Sequence, residues 1–415
     1  MNYLILLSSL AIAILLGLRG FFEIIGINSS TNLIAFLISL FLCFVCLNKK
    51  KVYFPLVTLF FLFLVTSFIS SLFASASFTD LLSYNKTVIG FFITFLFALI
   101  NLTDIRTSKI IRDFGVWILL IQIPVYVIKF LLIGFSEDPA GTISMRDGSA
   151  TTIISIAGFS YYLINYLIEK KNTYLYLALS FILISQINEK RAILLLAPLF
   201  FFYIQYSLMK VDGKFRISIF LKNNFKYFIF GLPIFIYLIA IINPFLNQSG
   251  ELFGEFDFEF LTSFIWNYVY RADLTVWDYS RFQSLFYLLG YSLNIGIIDL
   301  IFGAGAGIIQ ANTGGVTDFI GIRYGARMGV VWVFLQHGVI GVSIIIFMIR
   351  SLFKKIKLNS NFEGVNKEYL ILKSYTLLLA FDFFIYSSVT LFYPVFIFIF
   401  LTQYNYVLKL NYMND

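Results

Sequence analysis

Charge is what this chain has least of. Only 13% of its 415 residues are Asp, Glu, Lys or Arg, about half the share of an ordinary soluble domain, which excludes a water-soluble globule of this length. Cysteine and histidine are nearly absent too: Cys43, Cys46 and His337 are the whole supply. With no HExxH and no cysteine and histidine cluster, a tightly bound transition metal lacks its ligands, and no cofactor is expected. Cys43 and Cys46 share an apolar run without partner thiols, and read as buried apolar residues. Although the formal charge is +8, the basic residues are dispersed and form no stripe, so nucleic acid is not an expected partner. Nucleotide loops are missing as well. Gly303-Ala304-Gly305-Ala306-Gly307 lacks the GxGxxG spacing and the Lys-Ser/Thr of a P-loop, and reads as a flexible or re-entrant segment.

What the chain does have is apolar runs of membrane-spanning length from end to end, with 60% hydrophobic residues and a mean hydropathy of +0.89. This pattern predicts an all-α polytopic membrane protein with about 12 transmembrane helices. The expected spans are Tyr3 to Leu18, Leu33 to Leu47, Val52 to Phe73, Val88 to Leu102, Phe114 to Phe135, Thr151 to Ile168, Thr173 to Ile187, Ala192 to Met209, Tyr227 to Ile242, Gly329 to Ile349, Leu370 to Tyr386 and Val389 to Leu408. Met1 to Leu18 has no basic n-region and no small-residue cleavage site, so it reads as an uncleaved first span.

Three regions follow: N-terminal spans over 1–242, one large loop over 243–328 between the ninth and tenth spans, and C-terminal spans over 329–415. Orientation comes from the Lys and Arg bias. If the N-terminus is cytoplasmic, nineteen basic residues fall on the cytoplasmic side and nine on the external side. Both termini are then cytoplasmic and the large loop is external. That loop is too aromatic for a disordered linker and reads as a folded cap, in which Ser284 to Phe302 forms a helix lying on, or dipping into, the outer membrane surface.

The external cations are mostly arginine: Arg191, Arg271, Arg281, Arg323 and Arg327. Membrane insertion does not require them there, and guanidinium groups grip phosphate oxygens in pairs, so a bound anion is the natural explanation. Arg191 alone would read as a snorkelling cation at the start of a span. Arg323 and Arg327 are four apart, and if the following helix starts early they share a face with Phe334 and Gly338. Gly338 and Gly341 would allow close approach of a helix or ligand. His337 is too deep in its span to be the expected direct base. Trp277, beside Asp278, belongs to a set of loop aromatics suited to stacking on sugars.

Three short stretches resemble the O-antigen polymerase and O-antigen ligase superfamily of bacterial inner-membrane proteins. They are Asn188-Glu189-Lys190-Arg191 opening a span, Ser280-Arg281 in the large loop, and Phe302-Gly303-Ala304-Gly305 followed by Gly338-Val339-Ile340-Gly341. The architecture is similar over most of the chain. The resemblance implies a glycosyltransferase that uses an undecaprenyl-diphosphate-linked oligosaccharide outside the membrane, without nucleotide. It implies catalytic roles for Arg191, Arg281 and Arg327 on the carrier diphosphate, with Arg271, Arg323, Gly338 and Trp277 in substrate binding. Membrane lipid and a chain-length regulator protein are the other implied partners.

The ligase branch carries a histidine followed by Asn, Ser or Gln and nine variable residues before Gly-x-x-Gly, a frame that puts Arg327 and Met328 in those two places here, so the polymerase branch is favoured. The ligase itself, a flippase for lipid-linked oligosaccharides, and a polymerase of capsule or another secreted polysaccharide remain as alternatives. For the general base, Asp273, Asp278, Asp318 and Glu189 are candidates, with Asp278 favoured by its position near Arg281.

Overall fold

The structure, a computed structural model, describes residues 2–26, 28–47, 54–73, 78–87, 89–100, 103–134, 141–143, 149–188, 190, 192–211, 217–251, 253–270, 289–290, 292–306, 316–317, 322–323, 328–354, 363–386 and 393–412. Within these, the N-terminal helices are α1 (Asn2–Gly17), α2 (Arg19–Ile24), α3 (Asn28–Leu47), α4 (Phe54–Phe73), α5 (Phe78–Thr87), α6 (Gly90–Ile100) and α7 (Ile105–Ile133). Next come α8 (Ser149–Glu169), α9 (Asn172–Ile187), α10 (Ile193–Val211) and α11 (Ile217–Lys226), which continues through a π turn into α12 (Leu232–Ile242). In the large loop lie α13 (Phe258–Tyr270) and the short α14 (Ile297–Phe302), and the C-terminal helices are α15 (Gly329–Lys354), α16 (Glu363–Phe384) and α17 (Pro394–Tyr412). The described strands are a two-residue antiparallel pair, β1 (Val316–Thr317) and β2 (Ile322–Arg323).

Five helical stretches are long and apolar enough to cross a membrane: Pro55–Phe73, Ile105–Leu132, Ala150–Glu169, Asn224–Ile242 and Gly329–Ser351. Four shorter apolar helices accompany them, Asn2–Gly17, Thr31–Cys46, Ile193–Met209 and Pro394–Leu410. Helix is the local solution because an apolar surrounding offers no partner for a bare peptide group. Polar side chains within the apolar runs follow the same rule. The hydroxyls of Ser9, Ser39 and Thr376 each donate to the carbonyl four residues earlier, at 2.7–2.8 Å.

Helix α8 is the centre of the bundle, with 78% of its apolar stretch buried against α9, α10 and α16; the stretch through α12 is peripheral, at 11%. Helix α7 packs on α1 and α17, and α4 on α6 and α15.

The ends of the bundle sort by contact. At one end, the Asn2 amide donates to Asp104 at 3.2 Å, Lys367 pairs with Glu169 at 2.7 Å, and Arg112 donates to both carboxylate oxygens of Glu368 at 3.0 Å. At the other end, Gly20 N–H donates to Thr142 O at 2.7 Å and the Asn243 amide to Gln186 at 3.1 Å. Arg112, Lys170, Lys171 and Lys367, which the charge pattern assigns to one side, therefore do share an end.

Two helices start well before the apolar runs that announce them. Helix α7 begins at Ile105 because the Asp104 carboxylate caps it, accepting from Thr107 N–H at 2.6 Å, and this hydrogen bond holds the Asp104 carboxyl below its ordinary range. Arg112, expected in a loop, thus lies inside a helix. Helix α16 begins at Glu363, so that Glu368 reaches Arg112; the Gln403 side chain also donates to Glu368 at 2.9 Å, and the Arg112 guanidinium lies over the Tyr406 ring at 4.4 Å.

Candidate functional site

Helix α15 enters the bundle at Gly329 and is broken at Gly338, whose φ of 59° and ψ of −160° are not helical. A side-chain-bearing residue resists such a backbone, and glycine accepts it. The break frees carbonyls at the end of the first half, and neighbours take them up. Ala304 N–H donates to Leu335 O at 2.7 Å, and the Ser70 hydroxyl of α4 donates to Gln336 O. Ser71 donates to Ala306 O at 3.1 Å, fastening the incoming strap to α4 as well.

The strap is residues 303–306, which follow α14 and lie directly against the break. Gly303 also has a positive φ, 79°. A Cβ placed on it would lie 2.4 Å from His337 N, and one on Gly338 would lie 2.4 Å from Ile301 O. Backbone meets backbone here because neither residue carries a side chain. The two glycine stretches that support the family resemblance, distant in sequence, form one crossing.

His337 is the last residue before the break and is wholly buried. Its Nε2 is hydrogen-bonded to the hydroxyl of Tyr84 on α5, and its ring lies 4.6 Å from that of Phe63 on α4. Tyr84 is itself stacked on Trp332, one turn earlier on α15, at 5.3 Å and 20°. Nδ1 of His337 has no hydrogen-bond partner among the described residues. Burial and the Tyr84 bond make His337 part of the joint between α4, α5 and α15.

Among the sequence-predicted site residues, Arg191, Arg271, Trp277, Asp278, Arg281 and Arg327 lie outside the described residues, as do Glu189, Asp273 and Asp318. Gly338 sits at the crossing. Arg323 departs from expectation: it pairs with Val316 in the β1–β2 ladder, and the helix starts only at Gly329, so no helical face joins it to Phe334 and Gly338. The break at Gly338 interrupts that face a second time. Next to Arg191 in sequence, Ser185, Gln186, Asn188 and Lys190 are buried, and the buried Asn243 amide after α12 donates to Gln186, so the interior at this end of α9 is polar.

The strap, on the N-terminal side of residues 307–327, is held at the crossing, whereas α15 begins at Gly329, nine residues before the break. Sequence reading missed Tyr84, Ser70, Ser71 and Gln336. One signal was available for the last: Gln336-His337 is a polar pair inside an apolar helix directly before a glycine, a place where a helix can be interrupted. Nothing local marks Tyr84. In comparisons with known proteins, no family model, no curated protein and no solved structure matches this chain.

Proposed function

We propose that this chain polymerises undecaprenyl-diphosphate-linked oligosaccharide repeat units into O-antigen or a related surface polysaccharide. The reaction takes place at the external face of a bacterial inner membrane, which the chain crosses about twelve times with both termini cytoplasmic. The observation that carries the reading is the crossing of Gly303 and Gly338. The paired glycine stretches on which the resemblance rests are physically one unit, and it anchors the strap that leads into the segment containing Arg323 and Arg327.

The chemistry is glycosyl transfer. An acceptor sugar hydroxyl attacks the anomeric carbon of the donor chain, the new carbon–oxygen bond forms, and the bond to the carrier diphosphate breaks. A carboxylate, Asp278 by preference, takes the hydroxyl proton, and the electron pair leaves on the diphosphate. Negative charge therefore grows on the leaving group during the reaction. Preorganised guanidinium groups at Arg191, Arg281 and Arg327 bind that transition state more tightly than the ground state, which is what accelerates the step.

Purified protein given only the undecaprenyl diphosphate repeat unit, with no nucleotide and no membrane potential, is expected to make a ladder of longer lipid-linked chains. Product that appears only after addition of a lipid A-core acceptor would replace this reading with the ligase. A second reading has its own observation. Asp382 is wholly buried in α16, and ionisable groups within spans are the mark of transporters. For a flippase of lipid-linked oligosaccharides, the same assay yields no ladder while repeat units cross the bilayer.

A further inference from the structure

We propose that residues 289–290 and 292–302 form an interaction surface for lipid, half-inserted among the acyl chains of the outer leaflet. Ile295 and Leu300 pack on the core, and the other described aliphatic side chains of the segment are exposed. Leu289 is 55% exposed, Leu293 85%, Ile297 72% and Ile298 49%. In a loop surrounded by water, such a patch would be a site of aggregation. The polar side chains among them are quieted locally: Ser292 donates to Leu289 O at 2.7 Å and Asn294 to Gly290 O at 2.9 Å. Local satisfaction of this kind is what an apolar surrounding demands.

Helix α14 shows the division most clearly. At about 100° per residue, Ile297, Ile298 and Ile301 share one side, Leu300 turns to pack on the core, and Asp299 points away from the exposed isoleucines. A carboxylate on the far side suits a helix lying at the boundary between lipid and water.

Lipid is the occupant because the patch continues a surface that already faces it. The Phe302 ring lies 5.6 Å from that of Phe73, the last residue of α4. Leu72 and Phe73 are 66% and 56% exposed, at the end of a helix long and apolar enough to cross a membrane. The exposed side of α14 therefore extends that apolar surface sideways. By this placement the Gly303 strap emerges from the lipid boundary and not from bulk water. Assignment to the outer leaflet rests on the orientation proposed above; insertion into the bilayer does not.

The test uses the full chain in lipid nanodiscs of phosphatidylethanolamine and phosphatidylglycerol, with Cys43→Ala and Cys46→Ala to remove the native thiols. Leu293→Cys and Ile297→Cys are each labelled with a nitroxide, and Glu255→Cys, at an exposed acidic position, serves as the aqueous reference. Collision with molecular oxygen, which concentrates in the bilayer, is compared with collision with a water-soluble nickel chelate. The expected result is a several-fold higher ratio of oxygen to nickel collisions at both test positions than at the reference. A nickel preference at both would place the segment in water and overturn the proposal. Exclusion of both probes would overturn it too, in favour of a cover made by protein, such as a second copy of the chain. If no ladder forms in the polymerase assay while the oxygen preference holds, the functional reading fails and the lipid contact stands.

Discussion

The hydroxyl of Tyr84 is hydrogen-bonded to Nε2 of His337 across 253 positions of sequence. It ties a short helix outside the long apolar runs to the last residue before a broken helix, in a setting closed by Phe63 and Trp332. Tyr84→Phe leaves the imbalance inside: a buried imidazole loses its one described partner, at a cost of about 1–3 kcal/mol. The double variant Tyr84→Phe with His337→Leu removes both polar groups, and it is expected to regain part of that loss. Thermal unfolding of detergent-purified protein measures the cycle, and strictly additive losses would show that the bond contributes nothing.

Gly303→Ala and Gly338→Ala are expected to disrupt the crossing. Each forces a side chain onto a positive φ, a strain of about 1–3 kcal/mol, and each drives a Cβ to 2.4 Å from a backbone atom of the opposing segment. Gly290→Ala is the matched control, because no atom lies within 4 Å of its Cβ position. Yield of monodisperse protein should fall for the first two and hold for the third. Equal yields for all three would mean that the two segments do not interlock.

Replacing Arg191, Arg281 or Arg327 by Ala is expected to lower polymerisation by roughly 100-fold or more, as for loss of one preorganised charge-stabilising donor. Lysine at the same position should restore only part, since it keeps the charge and loses the paired geometry. Ladder formation at equal protein level is the readout. Full activity in all three alanine variants would return these cations to a role at the membrane interface.

The buried pair of Arg112 and Glu368 joins α7 to α16, with Gln403 of α17 on the same carboxylate. Arg112→Leu strands Glu368 at 7% exposure and should cost about 3–5 kcal/mol. The double variant Arg112→Leu with Glu368→Leu should be far less harmful, because no lone charge remains. Thermal stability of the three proteins distinguishes a paired charge from two independent ones.

Sidedness has a direct check. Single cysteines from Ser249→Cys and Thr313→Cys, in cells with a permeabilised outer barrier, should react with an impermeant thiol reagent. Lys171→Cys should react only after the inner membrane is lysed. Reversal of that order would turn the whole topology over, and with it the external placement of the arginines.

Much of the helical pattern was legible from residue order, and the errors have identifiable causes. The apolar runs gave away α4, α8 and the start of α15 because hydropathy is a property of contiguous residues. The beginning of α7 was hidden because Arg112 looks like a loop cation until Glu368, far away in sequence, is brought beside it. Arg323 misled for a similar reason: a spacing of four from Arg327 is compatible with a helix, and only pairing with Val316 reveals a strand. Of the candidate site, the glycine stretches were visible as motifs, whereas their contact was not.

By itself, the sequence determined a helical chain with too little charge to fold as a soluble domain and with apolar stretches fit for a membrane. Those properties are additive along the chain and need no knowledge of neighbours. Tertiary structure alone decided that α15 breaks at Gly338, since a glycine in an apolar helix is equally compatible with simple close packing. It likewise decided that His337 is held by Tyr84 and that Gly303 lies on the break. Each of these depends on which distant backbone supplies the missing donor or fills the missing side chain's space, and contacts of that kind are settled only when the helices pack.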